Sequence, residues 1–87
     1  MKFLIIWKST DPQLTGAAFV KKGLNLGPDV TVLYSAHMVG TPAGAAIVQT
    51  SNAVALQAAI VGWGRDVQCD VSLVLDDAEA KTALSAE

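Results

Sequence analysis

The pattern of hydrophobic and polar positions predicts four strands. Residues 2–8, KFLIIWK, are apolar on both faces of an extended chain, which is typical of a strand at the centre of a sheet. Two β-rich runs, near 30–39 and 44–50, flank the turn Thr-Pro-Ala-Gly and predict a β-hairpin. Apolar and polar residues alternate from Val67 to Leu75, which predicts a half-buried strand.

Between these strands the sequence predicts two helices. The first covers 12–26, with Asp11 as its N-cap and Gly27-Pro28 at its end. The second covers 53–63, where apolar residues recur at helical spacing and predict a face that packs on the sheet. The residues of this face are Leu56, Ala59, Ile60 and Trp63.

The resulting order, βαββαβ, is that of the ferredoxin-like split βαβ arrangement. We expect an α+β sandwich in which a four-stranded antiparallel sheet carries both helices on one face, with the first and third strands at its centre. The length of 87 residues fits a single domain over 1–87. The C-terminal tail over 76–87 either forms a short helix or frays.

The other face of the predicted sheet has no helix to cover it. Strict alternation along the strands gives this face both apolar and polar side chains, with His37 among them. The apolar members are Leu4, Ile6, Leu33, Val39 and Val74, and the polar members are Lys8, Thr31, Ser35, Asp70 and Ser72. Such a face predicts a homodimer joined sheet to sheet around a partly wet cavity, which is a dimeric α/β barrel.

Composition supports self-association and argues against some partners. The hydrophobic fraction is 52% and the charged fraction 16%, so one small core does not readily hide all the apolar surface. The net charge is −2 and the basic residues are scattered, so we expect no nucleic-acid or anionic-membrane partner. The apolar run 3–7 is too short for a signal segment or a membrane span, and the single cysteine, Cys69, excludes an internal disulfide. These features predict a cytoplasmic protein.

His37 is the only histidine and therefore the first candidate for chemistry. A lone histidine at a strand end is more often structural, but it can also serve as the acid or base of a pocket. Asp70 is the partner to consider. Because the second and fourth strands are opposite edges of the sheet, the two side chains are expected roughly 14 Å apart within one chain, so a direct contact needs two subunits. The candidate pocket comprises Trp7, Ser35, His37 and Asp70.

A structural role is the favoured interpretation of both tryptophans, of the tyrosine and of the cysteine. Trp7 and Trp63 fit core anchors whose indole N–H reaches a partner, with stacking on a ligand as the alternative. Tyr34 and Cys69 fall at apolar positions of their strands and are assigned to the core. The glycines form no GxGxxG or Walker loop, and no set of side chains has metal spacing or the order of a catalytic triad. We therefore expect no cofactor and no metal.

Short segments along the chain carry a resemblance to a known family. They are the opening MKFLIIW, the strand that ends in His37 before a glycine-containing turn, Trp63 followed by Asp66, and the closing VSLVLDDAEA. On these segments the chain resembles the DUF3303 group of small bacterial proteins, which are built on the dimeric α/β-barrel plan. The resemblance covers essentially the whole chain. It implies a ferredoxin-like dimer with a pocket near Trp7 and His37, and it implies no known reaction.

Two classes of function remain open. The first is a non-catalytic dimeric module whose barrel lumen binds a small, partly apolar ligand or only holds the dimer together. The second is a small dimeric-barrel enzyme, monooxygenase-like and either cofactor-free or haem-associated, that uses His37 with Trp7 or Asp70. One histidine without a coherent acid–base set favours the module.

Overall fold

The computed structural model describes residues 1–86 and contains four strands and three helices in that part of the chain. In chain order they are β1 (Lys2–Ser9), α1 (Pro12–Lys22), β2 (Thr31–His37), β3 (Ala43–Gln49), α2 (Ala53–Val61), β4 (Val67–Val74) and α3 (Asp77–Leu84). The predicted order βαββαβ is confirmed, and a third helix follows it. The longest of these helices, α1, has 11 residues, and no helix in residues 1–86 combines the length and apolar character of a transmembrane span.

The four strands form one antiparallel sheet in the order β2-β3-β1-β4. The first and third strands therefore lie at its centre, and the ferredoxin-like α+β fold predicted from the sequence is confirmed. Strand β1 pairs along its length with β3 on one side and β4 on the other. Its continuous apolar sequence suits this position, because both faces of a central strand are available for packing.

The core lies on the face of the sheet that α2 covers. Ile5 and Val48 are fully buried there, and Leu56 of α2 packs with them. The other members of the predicted α2 stripe, which are Ala59, Ile60 and Trp63, pack against the same core. The stripe was therefore assigned correctly, since apolar residues at helical spacing point to one side of a helix.

Helix α1 is shorter than predicted and lies outside the core. It ends at Lys22 instead of Leu26, because Gly23 adopts a φ of 63° and its N–H donates to the carbonyl oxygen of Phe19 at 2.7 Å. None of the α1 residues is buried. Leu26 and Val30, in the segment after the helix, are buried instead and join the core.

A β-bulge changes the faces of β2. Val32 pairs with Val48 and Tyr34 with the next residue, Ile47, so Leu33 is an extra residue on its strand. Side chains before and after a bulge no longer follow strict alternation. His37 and Ser35 therefore lie on the helix-covered face, and their predicted place on the uncovered face is wrong. Tyr34 is on the uncovered face and 67% exposed, so its assignment to the core is also wrong.

Within the described part of the C-terminal tail, Asp77–Leu84 form helix α3, and Glu87 lies outside the described residues. Asp76 accepts a hydrogen bond from the Glu79 backbone N–H at 2.8 Å, and the Glu79 carboxylate accepts one from the Asp76 N–H at 3.1 Å. This is a reciprocal capping box. Lys2 of β1 pairs with both carboxylates, at 3.2 Å from Asp76 and 3.3 Å from Glu79, and so ties the helix to the sheet.

Candidate functional site

Four ring side chains from different parts of the fold form a continuous series, which we call the aromatic row. In order they are Phe19 of α1, His37 of β2, Trp7 of β1 and Trp63 just after α2. Adjacent ring centroids are 4.5, 5.5 and 5.9 Å apart, and the interplanar angles are 59°, 73° and 74°. Tilted and edge-to-face arrangements at these distances are favourable between aromatic rings. The row therefore links α1, the sheet and the end of α2.

The position of Trp7 depends on a glycine in the neighbouring strand. Trp7 pairs with Gly44 across β1 and β3. A Cβ atom at Gly44 would collide with the Trp7 indole and with the carbonyl oxygen of Ala36. A glycine inside a strand often marks such a close approach, and here it lets the indole lie directly against the β3 backbone.

Trp63 is held by a hydrogen bond from its ring. Its Nε1–H donates to the carbonyl oxygen of Leu24 at 2.7 Å, which joins the end of α2 to the segment after α1. Both features predicted for the tryptophans are present at this residue, since Trp63 packs against the core and its indole N–H has a partner.

The aromatic row lines a cavity of about 420 Å³. This cavity lies at one end of the sheet, because its lining includes the last residues of β1 and β2, Ser9 and His37, and the first residues of β3 and β4, Ala43 and Val67. Helix α1 supplies much of the remaining wall. Volumes of a few hundred Å³ with mainly apolar walls are typical of small-molecule sites.

Polar contacts fix α1 at this end of the sheet. The buried Ser9 hydroxyl donates to Thr15 Oγ1 at 2.7 Å and accepts from the Asp11 N–H at 3.1 Å. Nearby, the N–H and the hydroxyl of Thr10 both donate to the Asp66 carbonyl oxygen, at 2.7 and 3.1 Å. These bonds satisfy polar groups at the start of the helix and hold its first turn beside β1 and the loop before β4.

Other polar side chains of the cavity have no partner in the described chain. Within residues 1–86, five lining residues with a polar or charged side chain take part in no side-chain hydrogen bond and no ion pair with another residue, and the indole N–H of Trp7 has no partner either. The five residues are Lys22, Asn25, His37, Thr41 and Asp66. Polar groups in an otherwise apolar cavity provide the specific contacts of a bound molecule.

The structure brings together only part of the pocket expected from the sequence. Trp7 and His37 are in contact and line the cavity. Ser35 shares a face with His37 but is not part of the lining. Asp70 pairs with Ile6 on the opposite face of the sheet, so the expectation that it shares a face with His37 is wrong. The reason is the bulge in β2, which places His37 on the helix-covered face. Asp70 in β4 stays on the uncovered face, as strict alternation predicts.

Among the lining residues that sequence reasoning did not consider as ligand contacts, three supply an aromatic ring or a charge. Phe19 is the one aromatic residue of α1, a helix without a clear apolar face. A single aromatic residue in such a helix could have indicated a contact with the sheet. Lys22 and Asp66 carry the charges of the cavity, but they lie 44 positions apart in the sequence and only the fold brings them to one site.

Cys69 lies beside the site but is not part of its lining. It pairs with Trp7 across β1 and β4, and it is a half-buried free thiol. Burial raises the pKa of the thiol, and the negative charge of Asp70 raises it further. The neutral thiol is therefore favoured, in keeping with a small apolar packing residue. Across residues 1–86, no three His, Cys, Asp or Glu side chains are grouped so that they could hold a metal ion.

Fold and site together define a class, that of small ferredoxin-like α+β proteins with an aromatic-lined cavity at one end of the sheet. The family can also be stated. The model of the family described as "Domain of unknown function (DUF3303)" matches residues 1–87, and the chain belongs to this family. No curated protein and no solved structure matches the chain.

Proposed function

We propose that the protein is a small-molecule-binding module and that its ligand occupies the cavity at the end of the sheet. One observation carries this proposal. Rings from four separate segments of the chain converge on the same cavity of about 420 Å³. Phe19 and His37 are exposed and Trp63 is half-buried, whereas Trp7 is buried. The three accessible rings provide an apolar contact for a flat ligand.

This site differs from the lumen of a dimer, where the sequence alone predicted a ligand. The cavity is on the side of the sheet that carries His37 and α1, whereas a sheet-to-sheet lumen would adjoin Ile6 and Tyr34. The face that would line such a lumen carries the polar Asp70 but no row of aromatic rings. We therefore propose the cavity at the end of the sheet as the ligand site.

The geometry supports binding more than catalysis. An acid or base in a catalytic site is normally oriented by a second polar group. Within residues 1–86 the His37 ring makes no hydrogen bond, and its neighbours in the row are the aromatic rings of Phe19 and Trp7. Asp70, the acidic partner considered for an enzyme, is on the other face of the sheet.

A neutral fluorescent probe tests the proposed cavity. N-phenyl-1-naphthylamine should bind the protein with increased emission, and Phe19→Ala should weaken its binding about tenfold because one wall of the site is lost. Val20→Ala is the matched control, since Val20 is the next residue of α1, is 86% exposed and is not part of the lining. Absence of probe binding, or equal losses in both variants, would contradict the proposal.

We also propose that the module is a homodimer formed through the uncovered face of the sheet. The centre of this face is apolar, with Leu4 and Ile6 of β1 beside Ala45 and Ile47 of β3. Ile6 is 50% exposed, and Tyr34 lies on the same face. A contiguous apolar surface of this kind favours association. Its rim carries polar groups, which suits an interface that is apolar at the centre.

Light scattering tests the dimer. Ile6→Lys places a charge at the centre of the face and should convert a dimer into a folded monomer. Val54→Lys is the control, because Val54 is exposed on α2, away from the sheet. A monomeric wild type, or a dimer in the Ile6→Lys variant, would rule out this interface. A cytosolic location completes the proposal, since the free thiol of Cys69 fits a reducing compartment.

A further inference from the structure

We infer that the ligand of this cavity is an aromatic anion, whose ring packs against the aromatic row and whose negative group is bound by Lys22 and His37. The inference rests on the proposed function and specifies its ligand class. It is drawn from the charges at the cavity and from their distribution along α1.

Lys22 supplies a positive charge without a protein counterion. Among the cavity residues in the described chain it is the one lysine or arginine, and it has no ion pair there. It follows Phe19 by three positions in α1, so both side chains lie on the same side of the helix. The positive group is therefore on the side of α1 that carries a ring of the aromatic row.

His37 adds hydrogen-bond donors at the same place. Its ring contacts Phe19, with centroids 4.5 Å apart, and makes no hydrogen bond within residues 1–86. An imidazole N–H can donate to a carboxylate in either the neutral or the charged form of the ring. Lys22 and His37 therefore flank Phe19 with two donors suited to one negative group.

The acidic residue of the cavity is at the other end of α1. Asp66 is bound through its carbonyl oxygen to Thr10, two positions before the helix starts, whereas Lys22 is the last helical residue. An 11-residue helix is about 15 Å long. The charges are consequently separated along the cavity, and the end near Lys22 favours an anion.

The walls select an aromatic molecule rather than a bare inorganic anion. Trp7 is only 7% exposed, and Trp63, which packs against it at an interplanar angle of 74°, is half-buried. The ring surfaces that the cavity offers are therefore mainly those of Trp63 and of the exposed Phe19. Such surfaces suit a flat ring by stacked and edge-to-face contacts. A small hydrated anion would leave these walls without contacts and would lose its own water.

A matched pair of ligands tests the inference. 2-Naphthoate and its neutral counterpart 2-naphthamide have the same ring system, so calorimetric titration of the full chain isolates the charge. We expect 2-naphthoate to bind about tenfold more tightly than 2-naphthamide, because charge-assisted hydrogen bonds are the stronger kind. Lys22→Gln and His37→Gln should each bring the ratio of the two affinities close to one. His37→Gln should also weaken 2-naphthamide, because it removes a ring of the aromatic row.

Lys21→Gln is the control, because Lys21 is adjacent in α1 but is not part of the cavity lining. Equal affinity of the wild type for the two ligands, or equal losses in Lys21→Gln and Lys22→Gln, would overturn the assignment of an anion while leaving cavity binding intact. Failure of both ligands and of the neutral fluorescent probe would overturn the proposed function itself, and the ligand class with it.

Discussion

The indole of Trp7 lies against Gly44, its partner residue in the neighbouring strand. There is no room between them for even one additional carbon atom, because that atom would also collide with the carbonyl oxygen of Ala36 in β2. Strands β1, β3 and β2 therefore pack closely at Gly44, where the absence of a side chain leaves room for the Trp7 indole. This close approach sets the position of Trp7, which in turn contacts two other members of the aromatic row.

Gly44→Ala should lower the free energy of unfolding by about 1–3 kcal/mol, which is the usual effect of overpacking a tight site. The backbone oxygen of Ala36 cannot rotate away as a flexible side chain can. Urea unfolding measures this change, and binding of the fluorescent probe should fall with it because Trp7 must move.

Gly16→Ala is the control for this prediction. Gly16 is inside α1, and a Cβ atom there would meet nothing within 4 Å. This variant should gain up to about 1 kcal/mol in stability from the higher helix propensity of alanine. Similar effects of the two substitutions would contradict the packing argument.

Trp63→Phe should cost about 1 kcal/mol of stability, because it removes the hydrogen bond to the Leu24 carbonyl oxygen while keeping an aromatic ring. Amide hydrogen exchange should accelerate in residues 24–30, the segment that this bond joins to α2. Val61→Ala is the control at an exposed position of the same helix. Unchanged exchange in residues 24–30 would show that the bond does not hold the segment.

The sequence predicted the elements whose periodicity was strong. Strand β1 is apolar on both faces, and α2 repeats apolar residues at helical spacing, so packing on the sheet agrees with the local pattern. The end of α1 was not predictable in the same way. Gly23 and Gly27 both adopt positive φ, at 63° and 85°, and either one suits the end of a helix.

The candidate site was predicted only in part because of the bulge in β2. Residues 32–34 are all apolar or aromatic, so neither alternation nor composition identifies Leu33 as the extra residue. A shift of one position moves every later side chain to the other face of the sheet. Trp7 and His37 of the predicted pocket both line the cavity, but because His37 was placed on the wrong face it was considered with Asp70 rather than with Phe19.

Cys69 should react slowly with iodoacetamide at neutral pH compared with the unfolded chain. Its pKa is raised by burial and then by Asp70, so less of the reactive thiolate is present. Asp70→Asn removes the second cause and should increase the rate in the folded protein, still below that of the unfolded chain. Asp29→Asn is the control at an exposed carboxylate that is not among those causes. No difference between these two variants would exclude an effect of Asp70.

The contact between Lys2 and helix α3 should depend on pH in a defined window. The pKa of Asp76 is lowered, first by the hydrogen bond from the Glu79 backbone and then by Lys2, and the pKa of Lys2 is raised by Asp76 and Glu79. A carboxyl group whose pKa is lower in the folded than in the unfolded chain stabilises the fold at pH values above its unfolded pKa. This contribution is lost as the pH falls through the folded pKa. A lysine whose pKa is higher in the folded than in the unfolded chain stabilises the fold at pH values below its unfolded pKa. This contribution is lost as the pH rises through the folded pKa. The helix should therefore be held best between the ordinary values of 3.8 and 10.5.

Lys2→Met separates the two causes at Asp76. We expect an NMR titration of the Asp76 carboxyl to give a higher pKa in this variant than in the wild type. It should still lie below 3.8, because the hydrogen bond from the Glu79 backbone is the larger cause and remains. Lys8→Met, at another lysine of β1, is the control and should leave the titration unchanged. An Asp76 pKa that is the same with and without Lys2 would mean that the ion pair does not form in solution, and that the capping box alone holds the start of α3.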